Sequence, residues 1–268
     1  MDLPSLHKAL VTAFSSSKSK PEEVRSLLTK LKIALTEHNL LVPSPATAAA
    51  SSSSSSDLVV AREVLEIGAF YSVRIGDIPA FDRYSSLLTP FYDSSLPTSK
   101  NYEPLLGLKL LRLLSSNQIS AFHTLIETLP TTLVNGSKFV QHPVSLERWL
   151  MEGSYSKVWR LSRETPPQDE YRFFVDLLMD MIRNEIASCE EKAYDSLALH
   201  DAATLLFFEN LDQVLGFAQS RGWQVNPTTQ VVSFTSTNPN STNSATVIPK
   251  KTTIATNLVF AKELESIV

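Results

Sequence analysis

One nine-residue pattern occurs three times in this chain, and it constrains the fold more than any single residue does. Each copy begins with Gly or Asn and has apolar third, sixth and ninth positions; the copies span residues 76–84, 117–125 and 153–161. Gly and Asn tolerate the left-handed backbone that ends a helix, and apolar residues at this spacing form one stripe of the next helix. The copies recur about every 40 residues, a spacing typical of stacked helical pairs. The sequence therefore predicts a helical-repeat solenoid, a fold that commonly holds other proteins.

Composition argues against several other classes of protein. The chain has 268 residues and a net charge of −4, so it has no overall attraction to nucleic acid or anionic lipid. Its single cysteine, Cys189, cannot form an internal disulfide, which favours the reducing cytoplasm or nucleus. Residues 1–20 lack the apolar core of a signal peptide, and the most apolar stretch, Leu105–Leu114, is too short to span a bilayer. We expect a soluble protein.

Two polar stretches of low complexity divide the chain. Residues 43–56 are rich in Pro, Ala and Ser, and residues 235–251 form a Thr/Asn/Ser-rich tether; neither buries enough apolar surface to offset the entropy lost on ordering. Asp57 is predicted to cap the helix that follows the first stretch. The predicted segments are N-terminal helices over 1–42, a disordered linker over 43–56, helical repeats over 57–189, a winged helix over 190–234, a tether over 235–251 and a C-terminal helix over 252–268.

The winged helix is predicted from a strand, a turn and a strand after three helices. His200–Phe208 and Leu211–Arg221 have helical patterns, and Trp223–Val225 and Gln230–Phe234 flank a turn at residues 226–229. Trp223 is expected to anchor the wing to the helices. The second strand is interpreted as a sheet edge that pairs with a neighbouring protein. The predicted partner-binding residues of this strand are Gln230, Val231, Val232, Ser233 and Phe234.

A winged helix also raises the hypothesis of nucleic-acid binding, and the charges argue against it. The predicted recognition helix, residues 211–221, has one acidic and one basic residue, and residues 223–234 contain no Lys or Arg. Nucleic-acid binders neutralise several phosphates with such groups. A winged-helix nucleic-acid binder stays as the alternative function, and salt-dependent binding to DNA or RNA would support it.

Patterns typical of enzymes are missing from the sequence. The five histidines lie far apart and have no metal-ligand spacing. Ser154–Lys157 matches Ser-x-x-Lys, but the companion motifs Ser-Asp-Asn and Lys-Thr-Gly do not occur. Neither a Gly-x-Gly-x-x-Gly nor a Walker pattern is present. We therefore predict a protein that is not an enzyme, with no catalytic, cofactor-binding or metal-binding residues and no small-molecule substrate.

The C-terminal segment carries an apolar stripe. Its members lie on one face of a helix and are Ile254, Leu258, Ala261, Leu264 and Val268. A lone helix of about fifteen residues is marginal in water, so we predict that this face binds a partner protein. Packing back onto the helix's own domain is the alternative.

Four segments have the character of a family signature. They are residues 142–155 (HPVSLERWLMEGSY), 182–194 (IRNEIASCEEKAY), 203–208 (ATLLFF) and 221–223 (RGW). Together they resemble the proteasome regulatory-particle non-ATPase subunit 12 family, and the resemblance covers nearly the whole chain. The sequence departs from the family in the Ser-rich insert at residues 51–56 and in the long tether, both of which sit where linkers are tolerated.

The resemblance implies a PCI protein of the 26S proteasome lid, built from TPR-like helical repeats, a winged helix and a C-terminal helix. It implies a hetero-oligomer whose partners are other PCI subunits of the lid and scaffold subunits of the base. In that family winged helices join side by side into a horseshoe, C-terminal helices form a bundle that guides assembly, and the subunit helps join lid to base. The expected role is ubiquitin-dependent protein degradation in the cytoplasm and nucleus. A PCI protein of the translation-initiation machinery is a related alternative.

Overall fold

The computed structural model describes residues 3–15, 21–38, 40–41, 52–93, 96–164, 166–226, 229–234 and 250–265. Across these ranges the chain is mostly helical, with a small three-stranded sheet. It divides into two compact units, residues 1–182 and residues 183–268. The division falls inside one long helix, α10 (Asp169–Ala193).

Helices build the described part of the first unit. In chain order they are α1 (Leu3–Ser15), α2 (Pro21–Glu37), α3 (Ser52–Ile75), α4 (Ile78–Asp93), α5 (Tyr102–Ser115), α6 (Ile119–Glu127), α7 (Thr131–Gly136), α8 (Lys138–Met151), α9 (Tyr155–Arg163) and the first part of α10. Successive helices pack against each other where a short turn joins them, as in α3 with α4 and α5 with α6. Helix α5 also packs against α8.

The three copies of the repeated pattern form the same hydrogen-bonded turn. Their first residues, Gly76, Asn117 and Gly153, have φ values of 83°, 57° and 70°. In each copy the next N–H donates to the carbonyl five residues earlier: Asp77 to Ser72, Gln118 to Leu113 and Ser154 to Trp149, each at 2.9 Å. This bond defines a Schellman cap, which ends a helix in the left-handed conformation. The predicted role of the first position as a helix C-cap is therefore confirmed in all three copies.

The sixth position of each copy lies in the core of the first unit. Phe81, Phe122 and Val158 each keep only 1% of their surface exposed. Burial of such a side chain contributes roughly 1.5–3 kcal/mol to the free energy of folding. The sixth position therefore determines which face of each of helices α4, α6 and α9 packs into the core. The third and ninth positions are less uniform, because Tyr84 is buried whereas Tyr155 is 38% exposed.

The start of α3 corrects one predicted boundary. The helix begins at Ser52 and not at Asp57, so the predicted linker over 43–56 extends no further than residue 51. Adding a residue to a formed helix orders one residue for each hydrogen bond gained, which costs far less than starting a helix. The serines before Asp57 therefore continue a helix that Leu58 and Ala61 anchor in the core. Residues 43–51 lie outside the described part.

The second unit contains short helices and an antiparallel sheet. After α10 come β1 (Ser196–Ala198), α11 (Leu199–Leu205), α12 (Leu211–Arg221), β2 (Gln224–Asn226), β3 (Val231–Ser233) and α13 (Lys250–Glu265). The strand order is β1-β3-β2. Val232 of β3 is paired with Leu197 of β1 and with Val225 of β2.

This topology corrects the predicted sheet edge. The segment from Gln230 to Phe234 supplies the central strand, because β1 pairs with its second side. In the sequence, residues 196–198 give only a short apolar signal, and nothing local indicates their distant partner. The interpretation of Gln230, Val231, Val232, Ser233 and Phe234 as an edge strand is therefore wrong.

A buried cluster holds the second unit together. Its members come from α10, α11, α12, β3 and the residues that follow α11 and precede β2, and they are Ala187, Leu199, Ala203, Leu206, Val214, Ala218, Trp223 and Val232. Two further left-handed turns shape this cluster, at Gly222 with φ 75° and at Phe207 with φ 57°. The expectation that Trp223 anchors the strands to the helices is confirmed by its place in the cluster.

Candidate partner-binding surfaces

Two of the family-like segments meet in the second unit through a set of hydrogen bonds. The Arg221 guanidinium donates to the Asn184 carbonyl at 2.6 Å, to Ser188 Oγ at 2.9 Å and to Glu191 Oε1 at 3.4 Å. The indole N–H of Trp223 donates to the same Glu191 oxygen at 2.7 Å. We call these five residues the Arg221 clasp. It ties the end of α12 and the start of β2 to α10.

A left-handed turn and a buried ring complete the clasp. Gly222, between the two donors, adopts φ 75° and presents no Cβ to that strained conformation. The Trp223 ring meets Phe217 and Phe234 edge to face, with centroid distances of 5.7 Å and 5.0 Å. These contacts set the position of the sheet against α12, so the edges of the sheet are presented on a rigid base.

The available sheet edges are β1 and β2. Both strands have three residues, and the first and last residue of each is exposed. The central segment has its backbone groups engaged on both sides. The Gln230 carbonyl accepts the Leu199 N–H at 2.8 Å, and the Phe234 N–H donates to the Asp195 carbonyl at 3.1 Å. Edge pairing with a partner therefore has to use β1 or β2, and a partner-binding role for residues 230–234 stays a prediction.

Helix α13 carries the predicted apolar stripe in an exposed state. Ile254 is 58% exposed, Leu258 66% and Leu264 52%, and Ala261 is exposed as well. Val268, the last predicted member, lies outside the described residues. Isolated apolar side chains on a surface are common, but a row of large ones along one helix marks an interaction surface.

Two exposed apolar residues of α13 were missed by the sequence analysis. Phe260 is 66% exposed and Val259 is 60% exposed. Phe260 precedes Leu264 by one helical turn, so the two rows merge into a wider apolar face. The same four-residue spacing that identified Leu258 from Ile254 was sufficient to find Phe260. Val259 lies on the opposite side of the helix.

One buried carboxyl group distinguishes the second unit. Glu190 is 4% exposed, and neither of its side-chain oxygens has a hydrogen-bond partner within the described residues. Burial, and secondarily the neighbouring charge of Glu191, raises the pKa of Glu190 to about 7. The group is therefore partly protonated near neutral pH.

The described part of the chain also bears on metal binding and membrane insertion. No cluster of His, Cys, Asp and Glu there is arranged to hold a metal ion. None of the helices described combines the length and the apolar character needed to cross a membrane.

Comparison with known proteins places the chain. Residues 100–243, more than half of the chain, match the model of the CSN8/PSMD8/EIF3K family, so the chain is a member of that broad class of proteins. The chain is 39% identical over 199 residues to the 26S proteasome regulatory subunit rpn12 of Schizosaccharomyces pombe, covering 74% of this chain and 70% of the relative. It is 34% identical over 229 residues to RPN12 of Saccharomyces cerevisiae, covering 83% and 82%.

A plant relative extends the similarity along more of the chain. The 26S proteasome non-ATPase regulatory subunit 8 homolog A of Arabidopsis thaliana is 35% identical over 251 residues, which is 90% of this chain and 89% of the relative. Within the broader class, the chain belongs to the Rpn12/PSMD8 family of 26S proteasome regulatory subunits. The resemblance noted in the four sequence segments is thereby confirmed.

Proposed function

We propose that this chain is a structural subunit of the 26S proteasome lid that acts in ubiquitin-dependent protein degradation. Its relatives are named as regulatory subunits of the 26S proteasome. The observation that carries the proposal is the exposed apolar face of α13, on which Ile254, Leu258 and Leu264 are each more than half exposed. A row of large exposed apolar side chains of this kind marks a surface that another protein covers.

The proposed architecture is a PCI module. Helices α3 to α9 supply the helical repeats, and their three Schellman turns give successive pairs a common geometry. Helices α10, α11 and α12 with the sheet β1-β3-β2 supply the winged helix. Membership of the CSN8/PSMD8/EIF3K family supports this assignment.

Two surfaces are proposed to join the subunit to its neighbours. An exposed edge of the sheet, β1 or β2, pairs with the winged helix of an adjacent lid subunit. The face of α13 enters a bundle with the C-terminal helices of other lid subunits, and the assembled lid then engages scaffold subunits of the base. Each large apolar side chain buried on docking contributes roughly 1.5–3 kcal/mol, which is offset in part by the cost of ordering the helix.

The subunit is proposed to be non-catalytic and to work in the cytoplasm and nucleus. The names of the relatives call them regulatory or non-ATPase subunits, which supports a structural role. The lone cysteine, Cys189, supports a reducing compartment.

The geometry disfavours the nucleic-acid alternative. Arg221 is the only basic residue of α12, and it donates to Asn184, Ser188 and Glu191 in the Arg221 clasp. A helix whose cation is engaged within its own domain offers little to a phosphate backbone.

Affinity purification with mass spectrometry tests the proposal. The tagged full-length chain is compared with a truncation at Asn257, which removes the second half of α13 with Leu258 and Leu264, in cells that lack the untagged chain. We expect the full-length chain to recover lid and base subunits and the truncation to recover few or none. Equal recovery would move the principal interface to the sheet or the repeats, and recovery of no proteasome subunits by either chain would overturn the proposed function.

A further inference from the structure

A concave surface of the first unit, between helices α2, α3 and α4, carries cations that lack ion-pair partners. Arg25 and Lys32 come from α2 and Arg83 from α4, and they line a cavity of about 450 Å³. None of these three side chains forms an ion pair with a carboxylate of the described residues. We call this surface the α2–α4 groove.

The acidic residues near the groove offset its cations only in part. Asp77 lines the cavity, and its carboxylate accepts the Ala80 N–H at 3.0 Å and so caps the start of α4. Glu22 does not line the cavity, although its charge acts on Tyr71, which does. Lys32 Nζ lies 4.2 Å from the centre of the Tyr84 ring, an arrangement that holds the cation in place without removing its charge. The lining thus has three cations and one carboxylate, on a chain whose net charge is −4.

The segments that flank α2 in the sequence contain no acidic residue. Residues 16–20 and 42–51 flank α2 in the sequence, and neither segment contains Asp or Glu. An acidic group that neutralises the groove therefore has to come from elsewhere.

Part of the groove lining is apolar. Leu28 and Tyr84 are buried, and Ile75, also in the lining, is 52% exposed. Cations beside apolar side chains complement a peptide that has carboxylates on one face and large apolar side chains on the other.

We propose that the α2–α4 groove binds an acidic amphipathic segment of a partner protein. Carboxylates of that segment pair with Arg25, Lys32 and Arg83, while an apolar side chain covers Ile75. A nucleic acid fits the surface less well, because three cations neutralise few phosphates and the Tyr84 ring is too buried to stack on a base. The inference is independent of α13 and of the sheet edges.

Fluorescence anisotropy with the purified full-length chain tests this proposal. The probe is a fluorescein-labelled helical peptide with Glu on one face and Leu on the other, and its reference is the same peptide with Gln in place of Glu. We expect the Glu peptide to bind, its affinity to fall with added salt, and the Gln peptide to bind far more weakly.

A double charge reversal locates the binding. Arg25→Glu with Arg83→Glu is expected to weaken the Glu peptide by about tenfold or more, because like charges then face each other. The matched control is Lys30→Glu, an exposed lysine of α2 that does not line the groove, with an expected change of about twofold at most. Circular dichroism verifies that the variants stay folded.

Three results would overturn the proposal: no binding of the Glu peptide, equal weakening by the control, or tighter binding of a single-stranded RNA of the same net charge. Recovery of proteasome subunits by the groove variants is measured separately. Normal recovery leaves the proposed lid function standing whatever the peptide result.

Discussion

The indole N–H of Trp223 donates a 2.7 Å hydrogen bond to Glu191 Oε1. Glu191 lies on α10, and Trp223 stands between α12 and β2, so one bond joins the helix that precedes the sheet to the residue that leads into it. Because Trp223 is only 8% exposed, water cannot readily replace the carboxylate as its acceptor. The position of β2 therefore depends on Glu191.

Glu191→Ala is expected to destabilise the second unit by roughly 1–3 kcal/mol, because it leaves the Trp223 donor without an acceptor. Urea unfolding followed by circular dichroism measures the change. Glu185→Ala removes an exposed carboxylate from the same helix and should change stability by about 0.5 kcal/mol at most. Equal effects of the two substitutions would contradict a structural role for the clasp.

Stability should fall as pH rises from about 4.5 through about 7 because of Glu190. The pKa of this group is about 7 in the folded chain and 4.5 in its ordinary state, so over that range the folded state holds a proton that the unfolded state has released. Glu190→Gln removes the cost of ionising the buried group and should stabilise the chain at pH 8 by on the order of 2 kcal/mol.

Unfolding in urea at pH 5 and pH 8 checks this expectation. The gap between Glu190→Gln and the parent chain should be wider at pH 8 than at pH 5. An unchanged gap would show that Glu190 does not titrate in this range, and Glu185→Gln provides the exposed control.

Two glycine substitutions separate backbone strain from helix propensity. Gly153 has φ 70° and Gly216 lies in helix α12, and a Cβ at either position meets no atom within 4 Å. Gly153→Ala should therefore cost about 1–2 kcal/mol through the left-handed backbone alone. Gly216→Ala should instead stabilise by about 0.4–1 kcal/mol. Thermal unfolding of the two variants checks the opposite signs, and the same sign for both would argue against the Schellman turn at Gly153.

Substitutions in α13 should impair assembly without unfolding the chain. Leu258→Asp and Leu264→Asp place a charge on the apolar face, where both side chains are more than half exposed in the free subunit. We expect unchanged circular dichroism and a several-fold lower recovery of proteasome subunits. Ala255→Asp adds the same charge to an exposed position away from that face and should have little effect. Normal recovery of both leucine variants would defeat the proposed role of the helix.

Local chemistry made the three repeated turns predictable. A position that must adopt positive φ favours Gly or Asn. Gly76, Asn117 and Gly153 meet this requirement, and it can be recognised without knowing the rest of the fold. The position of β3 was not predictable in this way. Residues 196–198 form a strand of three residues, which is too short for a clear alternation, and their pairing with β3 depends on contacts distant in sequence.

The proposed partner surfaces were only partly predictable from the sequence. The spacing of Ile254, Leu258 and Leu264 identified the face of α13, but a strict stripe omitted Phe260 on its flank. The α2–α4 groove could not be predicted from the sequence. Arg25 and Arg83 are distant in the sequence, and they line one cavity only because α2, α3 and α4 pack together.

The exposed face of α13 gives the free subunit an apolar surface that the proposed assembly would cover. A copy synthesised in excess of its partners displays Leu258, Phe260 and Leu264 to the cell, each more than half exposed. Such a surface attracts chaperones and other unpaired apolar segments. In the proposed function, the helix that docks into the complex therefore also exposes every surplus copy to such contacts.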